Sequence, residues 1–213
     1  MGHLRNGPFS GFTGRTGSLV GYRKFGKWVM AAVKATTSRD PSIKQQYVMI
    51  RFALITEWLS WVSEFIKIGF KDYAQEMSAM NAAVQYNLEH AVTGVAPAYT
   101  IDYEKVLFSR GKLSPAYQLA VATTEDAQLD FTWKALIMNQ KGAATDLLTF
   151  IVYNPAKQLF VIANSGVDRA DLTYDMALPV EFSGDNVYVW AALRSADGEA
   201  ISTSQYVTAT VVQ

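Results

Sequence analysis

A glycine-bounded segment near the N-terminus approaches a phosphate-binding motif. Residues 21–28 fit the pattern G-x-x-x-x-G-K, in which backbone N–H groups and a lysine hold nucleotide phosphates. The motif needs Ser or Thr after the lysine to hold Mg²⁺, and this chain has Trp28 there. Tyr22 and Phe25 are also too bulky for a loop that wraps phosphates. We therefore interpret the segment as a β-hairpin that turns at Phe25-Gly26, and we predict no nucleotide binding.

Residues for catalysis or metal binding are scarce. The chain has two histidines, His3 and His90, and no cysteine, so thiolate nucleophiles, disulfides and Cys-based metal sites are excluded. A Ser-His-Asp triad would depend on one of these two histidines. Asp168, Asp171 and Asp175 cluster around a predicted turn, but their spacing is not that of a Ca²⁺-binding helix–loop–helix. We interpret these three as solvated turn residues.

No enzymatic activity, cofactor or metal site is therefore expected. A pair of glycosidase carboxylates stays open as an alternative, because the fold and not the spacing sets that geometry.

Five tryptophans raise the question of a surface for sugars or nucleic-acid bases. Packing is the simpler interpretation for four of them. Trp58 and Trp61 lie three residues apart on a predicted helix, and Trp133 and Trp190 lie in the middle of predicted strands. The fifth, Trp28, lies in a basic segment.

The N-terminal quarter carries the candidate contact residues. Residues 1–51 contain nine Lys or Arg residues and one acid, Asp40, which gives +8; the rest of the neutral chain therefore carries −8. Such a basic end can bind a polyanion or dock on the acidic body of a neighbouring copy. We predict assembly or polyanion contacts at Arg15, Arg23, Lys24, Lys27 and Trp28.

Two helices are predicted after the hairpin. Asp40-Pro41 is a typical helix start, because Asp caps the helix and the first turn does not need the N–H that proline lacks. This helix runs to about residue 68 and is apolar over most of its circumference, so one sandwich surface would not cover it. A second copy is expected to bury the remainder. The second helix is predicted over residues 78–92, with Ser78 as its cap and Gly94 at its end.

Short alternating segments separated by turn residues follow, and they predict an antiparallel β-sandwich. The predicted strands are residues 99–109, 117–123, 129–138, 146–153, 159–163, 171–177, 186–194 and 202–212. Asp197-Gly198 marks the clearest hairpin. The fold class is thus α+β, with an N-terminal β-hairpin and a helical segment before an immunoglobulin-like sandwich. The predicted division is a basic Gly-rich arm and hairpin, a helical segment and a sandwich, at residues 1–37, 38–95 and 96–213.

Several short motifs occur together along the chain. They are the glycines at 11, 14 and 17, the hairpin at residues 22–29, Gln45, Gln46, Arg51 and Phe52, and the segments 81–87, 99–103 and 195–198. In this combination the chain resembles a family of uncharacterised Bacteroidota proteins of similar length. One departure is Ala31-Ala32, where family members often carry Arg. The resemblance implies the domain layout and transfers no site residue, because the family has no agreed activity.

These observations predict a non-enzymatic, self-assembling structural protein, such as a shell, filament or virion subunit. The alternatives are a nucleic-acid-associated protein that uses residues 1–51, and a glycan- or protein-binding module that acts through the sandwich loops. We expect a homo-oligomer. We also expect no membrane span, since charges interrupt the most apolar helical stretch, residues 47–70. The N-terminus lacks a signal-peptide pattern, so we expect cytoplasmic synthesis, with a virion or assembled particle as one destination.

Overall fold

The computed structural model describes residues 2–4, 11–35, 40–163 and 166–212. In these ranges three α-helices accompany four antiparallel sheets. The predicted α+β class with an antiparallel sandwich is confirmed.

The first sheet is formed by the N-terminal strands β1 (Gly2–Leu4), β2 (Gly14–Thr16), β3 (Leu19–Lys24) and β4 (Lys27–Ala32), in the order β1-β4-β3-β2. The predicted hairpin is confirmed as β3–β4. Its turn residues, Phe25 and Gly26, both have the positive φ that a two-residue turn between twisted strands requires. The strands and turn at residues 21–28 therefore form a hairpin and not a phosphate-binding loop.

Part of the predicted extended arm belongs to this sheet. Residues 14–16 form the edge strand β2, in register with Leu19–Gly21 of β3. Gly21 permits this arrangement, because a Cβ at that position would collide with the ring and carbonyl of Phe12. The arm is thus extended and paired with the hairpin at residues 14–16, while residues 5–10 lie outside the described ranges.

The helices are α1 (Ile43–Ser60), α2 (Ser63–Gly69) and α3 (Ala79–His90). The helix start predicted at Asp40-Pro41 is wrong, because Ser42 is the cap. The Ser42 hydroxyl accepts from the N–H of Gln45, and the Gln45 side chain accepts from the N–H of Ser42. The single long helix predicted to residue 68 is also interrupted, with α1 ending at Ser60 and α2 beginning at Ser63.

The second predicted helix starts as expected, since the Ser78 hydroxyl accepts from the N–H of Asn81 at 3.1 Å. It ends at His90, earlier than predicted. Gly94 does not end this helix; it has φ of 97° within the next strand, where Ala98 approaches its backbone too closely for a side chain.

Nine strands follow: β5 (Val92–Val95), β6 (Ala98–Ile101), β7 (Tyr117–Ala122), β8 (Gln128–Lys134), β9 (Leu147–Asn154), β10 (Leu159–Ala163), β11 (Thr173–Ala177), β12 (Asn186–Arg194) and β13 (Gln205–Val211). They form the sheets β10-β9-β12-β13 and β11-β8-β7 and the separate hairpin β5–β6.

The strand predicted over residues 99–109 stops at Ile101, and a 3-10 turn follows at Tyr103–Lys105. The reason is a helix side chain that replaces a strand partner. Asn87 of α3 accepts from the N–H of Leu107 and donates to the carbonyl of Leu107, both at 2.8 Å. The backbone of Leu107 is therefore satisfied without a neighbouring strand.

The sheet β10-β9-β12-β13 is the middle of three layers. Phe150 and Val152 of β9 pack toward the sheet β11-β8-β7, whereas Ile151 and Tyr153 pack toward the helices. β9 is consequently buried on both faces, which explains its mostly apolar sequence. We call the two sandwich sheets and the helices packed on them the three-layer body. The predicted division at residues 37/38 and 95/96 stays a prediction.

Candidate self-association surface

The five predicted contact residues lie in the N-terminal sheet, on both of its faces. Cross-strand partners share a face, and the register pairs Arg23 with Trp28 and Lys24 with Lys27. Successive residues of a strand alternate between faces, so Arg23 and Lys24 lie on opposite sides. The register of β2 places Arg15 on the side of Lys24. The structure thus brings together Arg15, Lys24 and Lys27 on one face, and Arg23 and Trp28 on the other.

The contacts of these cations leave most of their charge unneutralised. The Arg23 guanidinium lies 5.8 Å from the ring centroid of Trp28, within the range of a cation–π interaction. Lys27 Nζ lies 3.2 Å from Glu76 Oε1, in an exposed pair that contributes little. Within the described residues Arg15 and Lys24 have no ion pair. Both faces of the sheet therefore carry net positive charge.

The first half of α1 presents apolar side chains to solvent. We call these five residues the apolar helix surface: Ile43, Val48, Met49, Ile50 and Phe52. Each of them is between 44% and 66% exposed. Large contiguous apolar patches are rare on monomeric proteins and often serve in interactions.

The second half of α1 holds the helix on the body. Its buried residues are Ile55, Trp58 and Leu59, whose spacing of three and four puts them on one face. At the boundary between the halves, the Arg51 guanidinium donates to the carbonyl of Leu88 near the end of α3. The body therefore covers one stripe of α1, at its C-terminal end.

The apolar helix surface extends around the helix and is not confined to one stripe. Each residue advances by about 100° around an α-helix, so Ile50 and Phe52 point about 200° apart. Met49 lies between them. A helix that is apolar on opposite sides requires cover from more than one direction.

Three of the four tryptophans predicted to pack are buried, namely Trp58, Trp133 and Trp190. The prediction is wrong for Trp61, which is 69% exposed. Trp61 is the C-cap residue of α1, at the end of the helix.

A groove of about 370 Å³ contains the second histidine, and sequence reasoning missed it. The Arg110 guanidinium lies between the rings of Tyr73 and Tyr86, at 4.4 and 4.6 Å from their centroids. The His90 ring stacks on Tyr86 at 4.2 Å, and its Nδ1 lies 2.8 Å from the Tyr86 carbonyl oxygen. The residues that line this groove are distant in sequence, and no periodic pattern connects Arg110 with α3.

The acidic cluster predicted as turn residues has a structural explanation. Asp168 and Asp171 form a capping box around a 3-10 turn, with the N–H of Asp168 donating to Asp171 Oδ2 at 2.8 Å. Asp175 lies on β11. Among the residues that the structure describes, no three His, Asp or Glu side chains are close enough together to hold a metal ion.

Comparison with protein families shows which family the chain belongs to. The model of a family of unknown function, DUF6266, matches residues 11–208. The chain belongs to this family. The match runs from β2 into the first half of β13, in agreement with a resemblance over nearly the whole chain, and the Bacteroidota origin stays a prediction. No curated protein matches this family member.

Among solved structures, the chain is similar to the fn3 domain of human collagen alpha-1(XX) chain, with a TM-score of 0.34 and 18% identity over 47% of this chain and 85% of that one. It is also similar to the fn3 domain of human contactin 1, with a TM-score of 0.29 and 6% identity over 55% and 85%. The two sheets of the sandwich in this chain have the strand orders β10-β9-β12-β13 and β11-β8-β7. Across the described ranges, none of the helices has the length and apolarity needed to cross a bilayer.

Proposed function

We propose that this protein is a non-enzymatic structural subunit that self-associates into a larger assembly, such as a shell, filament or virion. The apolar helix surface carries this proposal. Its side chains point to opposite sides of α1, and the described part of the chain leaves them 44% to 66% exposed. Further copies of the chain would supply cover from several directions, and they are present wherever the protein is made.

The division of charge supports contact between copies. The basic residues 1–51 and the acidic remainder carry +8 and −8, so opposite ends of two copies attract each other. Five carboxylates of the acidic remainder are candidates to meet the basic end of a neighbouring copy. Two of them, Asp102 and Asp185, already pair with Lys105 and Lys157. Within the described residues no ion pair engages three others: Glu104, Asp168 and Asp171.

Light scattering after size-exclusion chromatography tests the proposal. We expect the unmodified protein to have a mass that is a multiple of 23.6 kDa. The double variant Met49→Glu/Phe52→Glu should approach the monomer mass, because it places charges on the surface that the other copies cover. Glutamate is a good helix former, so α1 itself should persist.

The matched control is the double variant Met138→Glu/Val180→Glu. These two side chains are 92% and 80% exposed and lie away from α1 in the sequence. They should keep the mass of the unmodified protein. A monomeric unmodified protein at all concentrations, or equal effects of the two double variants, would contradict the proposal.

A nucleic-acid-associated role is the second candidate, because Arg23 lies against the face of Trp28. The placement of the cations weakens it. Arg23 lies on the opposite face from Lys24 and Lys27, and one phosphate backbone cannot contact both faces of a sheet. A salt series separates the two functions: nucleic-acid binding should weaken with a log–log slope of about −0.9 per phosphate contacted on duplex DNA. The assembly proposal expects no such binding.

A further inference from the structure

A second groove lies between α1, β6 and the turn that joins β9 to β10. Its volume is about 500 Å³, within the range of about 300–1,000 Å³ that is usual for small-molecule sites. We call it the aromatic cleft. Its aromatic lining residues are Trp58, Trp61, Tyr99, Tyr103 and Tyr153.

The floor of the aromatic cleft is fixed by packing. The buried Trp58 ring lies 5.7 Å from the ring of Tyr103 and 5.3 Å from that of Tyr153. Tyr103 and Tyr153 are themselves 5.3 Å apart. Burial, together with Tyr153, raises the pKa of Tyr103, so its hydroxyl remains protonated. A ligand would therefore meet a preformed aromatic surface.

Trp61 stands at the rim of this floor. Its indole is 69% exposed, and within the described residues it has no ring contact with another aromatic side chain. Tryptophan is enriched at binding interfaces, because it offers a large apolar surface together with a polar N–H group. Because Trp58 is only 8% exposed, a ligand that Trp61 covers would rest mainly on Tyr103.

Two polar side chains of the cleft are unengaged, whereas Tyr103 is hydrogen-bonded to Tyr153, and Thr100 to Thr93. Glu57, on α1 beside Trp58, has no ion pair or side-chain hydrogen bond within the described residues, and the same holds for the side chain of Gln158. Gln158 is held in the turn with φ of 54°. No Lys or Arg lines the cleft. Its polar chemistry is thus one carboxylate, one amide and hydroxyls.

We propose that the aromatic cleft binds a saccharide of one or two rings. A pyranose has an apolar C–H face, which packs on the electron-rich face of an aromatic ring. Its hydroxyls both donate and accept, so they can donate to the Glu57 carboxylate and exchange hydrogen bonds with the Gln158 amide. A purely apolar ligand would bury these two groups without partners. A small organic cation would leave most of 500 Å³ unfilled.

The apolar helix surface and the aromatic cleft share no residue, so separate variants can test the two proposals. A saccharide site would let an assembled particle attach to a glycan-coated surface. The dissociation constant for a single ring is expected to be about 1 mM, given the low binding energy that each ligand atom contributes.

The test is tryptophan fluorescence titration and saturation-transfer NMR with a defined sugar panel. The panel consists of the methyl glycosides of glucose, galactose, mannose and N-acetylglucosamine, with cellobiose and maltose as two-ring probes. At least one sugar should bind saturably and shift the emission. Trp61→Ala and Glu57→Gln should each weaken that binding about tenfold or more, while Trp61→Phe should recover part of it.

The control variants make the same types of substitution at residues outside the cleft. Phe25→Ala removes an exposed ring at the hairpin turn, and Glu89→Gln neutralises an exposed carboxylate of α3; neither should change sugar binding. Light scattering should give Trp61→Ala and Glu57→Gln the mass of the unmodified protein, which separates this proposal from self-association. The proposal is overturned if no sugar of the panel binds, if both cleft variants bind as before, or if choline or arginine amide binds in place of the sugars.

Discussion

The middle strand β9 and the first half of α1 are both strongly apolar, yet they differ in what covers them. Seven of the eight residues of β9 are buried, between a sheet on one side and helices on the other. The residues 43–52 of α1 contain no buried side chain. Apolar composition is therefore the same signal in both regions, and only the fold shows whether the chain covers it. The uncovered region is the one that the proposed self-association would bury.

The largest expected effect on stability is at a buried ion pair of the three-layer body. Arg169 Nη2 lies 3.1 Å from Asp146 Oδ2, both side chains are 3% exposed, and Nη2 also donates to the carbonyl of Ser114 at 2.7 Å. Burial lowers the pKa of Arg169, and Asp146 opposes that shift. Asp146→Asn should lower the free energy of unfolding by about 3–5 kcal/mol, because it leaves a buried guanidinium without its carboxylate.

Urea denaturation measures this loss, and Glu64→Gln is the control. Glu64 pairs with Lys67 on the exposed side of α2, so its loss should cost at most about 0.5 kcal/mol. Similar losses in the two variants would show that the pair at Asp146 does not stabilise the body.

The next effect compares one substitution in the two regions. Ile151→Ala in β9 removes a fully buried side chain and should lower the free energy of unfolding by about 2–5 kcal/mol. Ile50→Ala on α1 should lower it by less than about 0.5 kcal/mol in dilute protein, because that residue is 44% exposed and lies outside the buried core. Denaturation at low concentration makes the comparison. A large loss for Ile50→Ala in a monomeric sample would show that the chain itself covers this residue.

Acidic pH should destabilise the three-layer body through one carboxylate, that of Asp185. The hydrogen bond from Lys157, followed by that from Asn154, lowers the pKa of Asp185 below its unfolded value of 3.8. Its contribution to stability is therefore present above pH 3.8 and is lost as the pH falls through the lower folded value. Asp185→Asn should remove this part of the pH dependence, as measured by thermal unfolding between neutral and acidic pH. An unchanged acid profile would contradict the assigned interaction.

The smallest expected effect on stability is removal of the N-terminal residues. Deletion of residues 1–17 takes away β1 and β2, which pair only with strands of their own sheet in the described structure. The unfolding midpoint of the body should shift by less than about 2 °C. Assembly should be lost if these residues contact neighbouring copies. A fall of many degrees would place residues 1–17 within the folding unit of the body.

The sequence predicts the strands of the sandwich well, because each one alternates or is apolar between clear turn residues. These local signals predict the turn at Asp197-Gly198 and the positions of β12 and β9. The hairpin β3–β4 is predictable for the same reason, since Gly26 supports a tight turn.

The features that sequence could not supply depend on distant contacts. The strand end at Ile101 depends on hydrogen bonds between Asn87 and Leu107, and the aromatic cleft joins α1 to β6 and Gln158. The two-faced distribution of the cations requires the strand register, which a list of basic residues does not contain. The family match assigns the chain to a family whose function is unknown.

Hydrogen–deuterium exchange at two protein concentrations tests the central claim most directly. Self-association through the apolar helix surface predicts that amides of residues 43–52 become more protected at high concentration, while those of β9 exchange equally slowly in both samples. The double variant Met49→Glu/Phe52→Glu should show no concentration dependence. Protection of residues 43–52 that is the same at both concentrations, with the mass fixed at 23.6 kDa, would contradict the account.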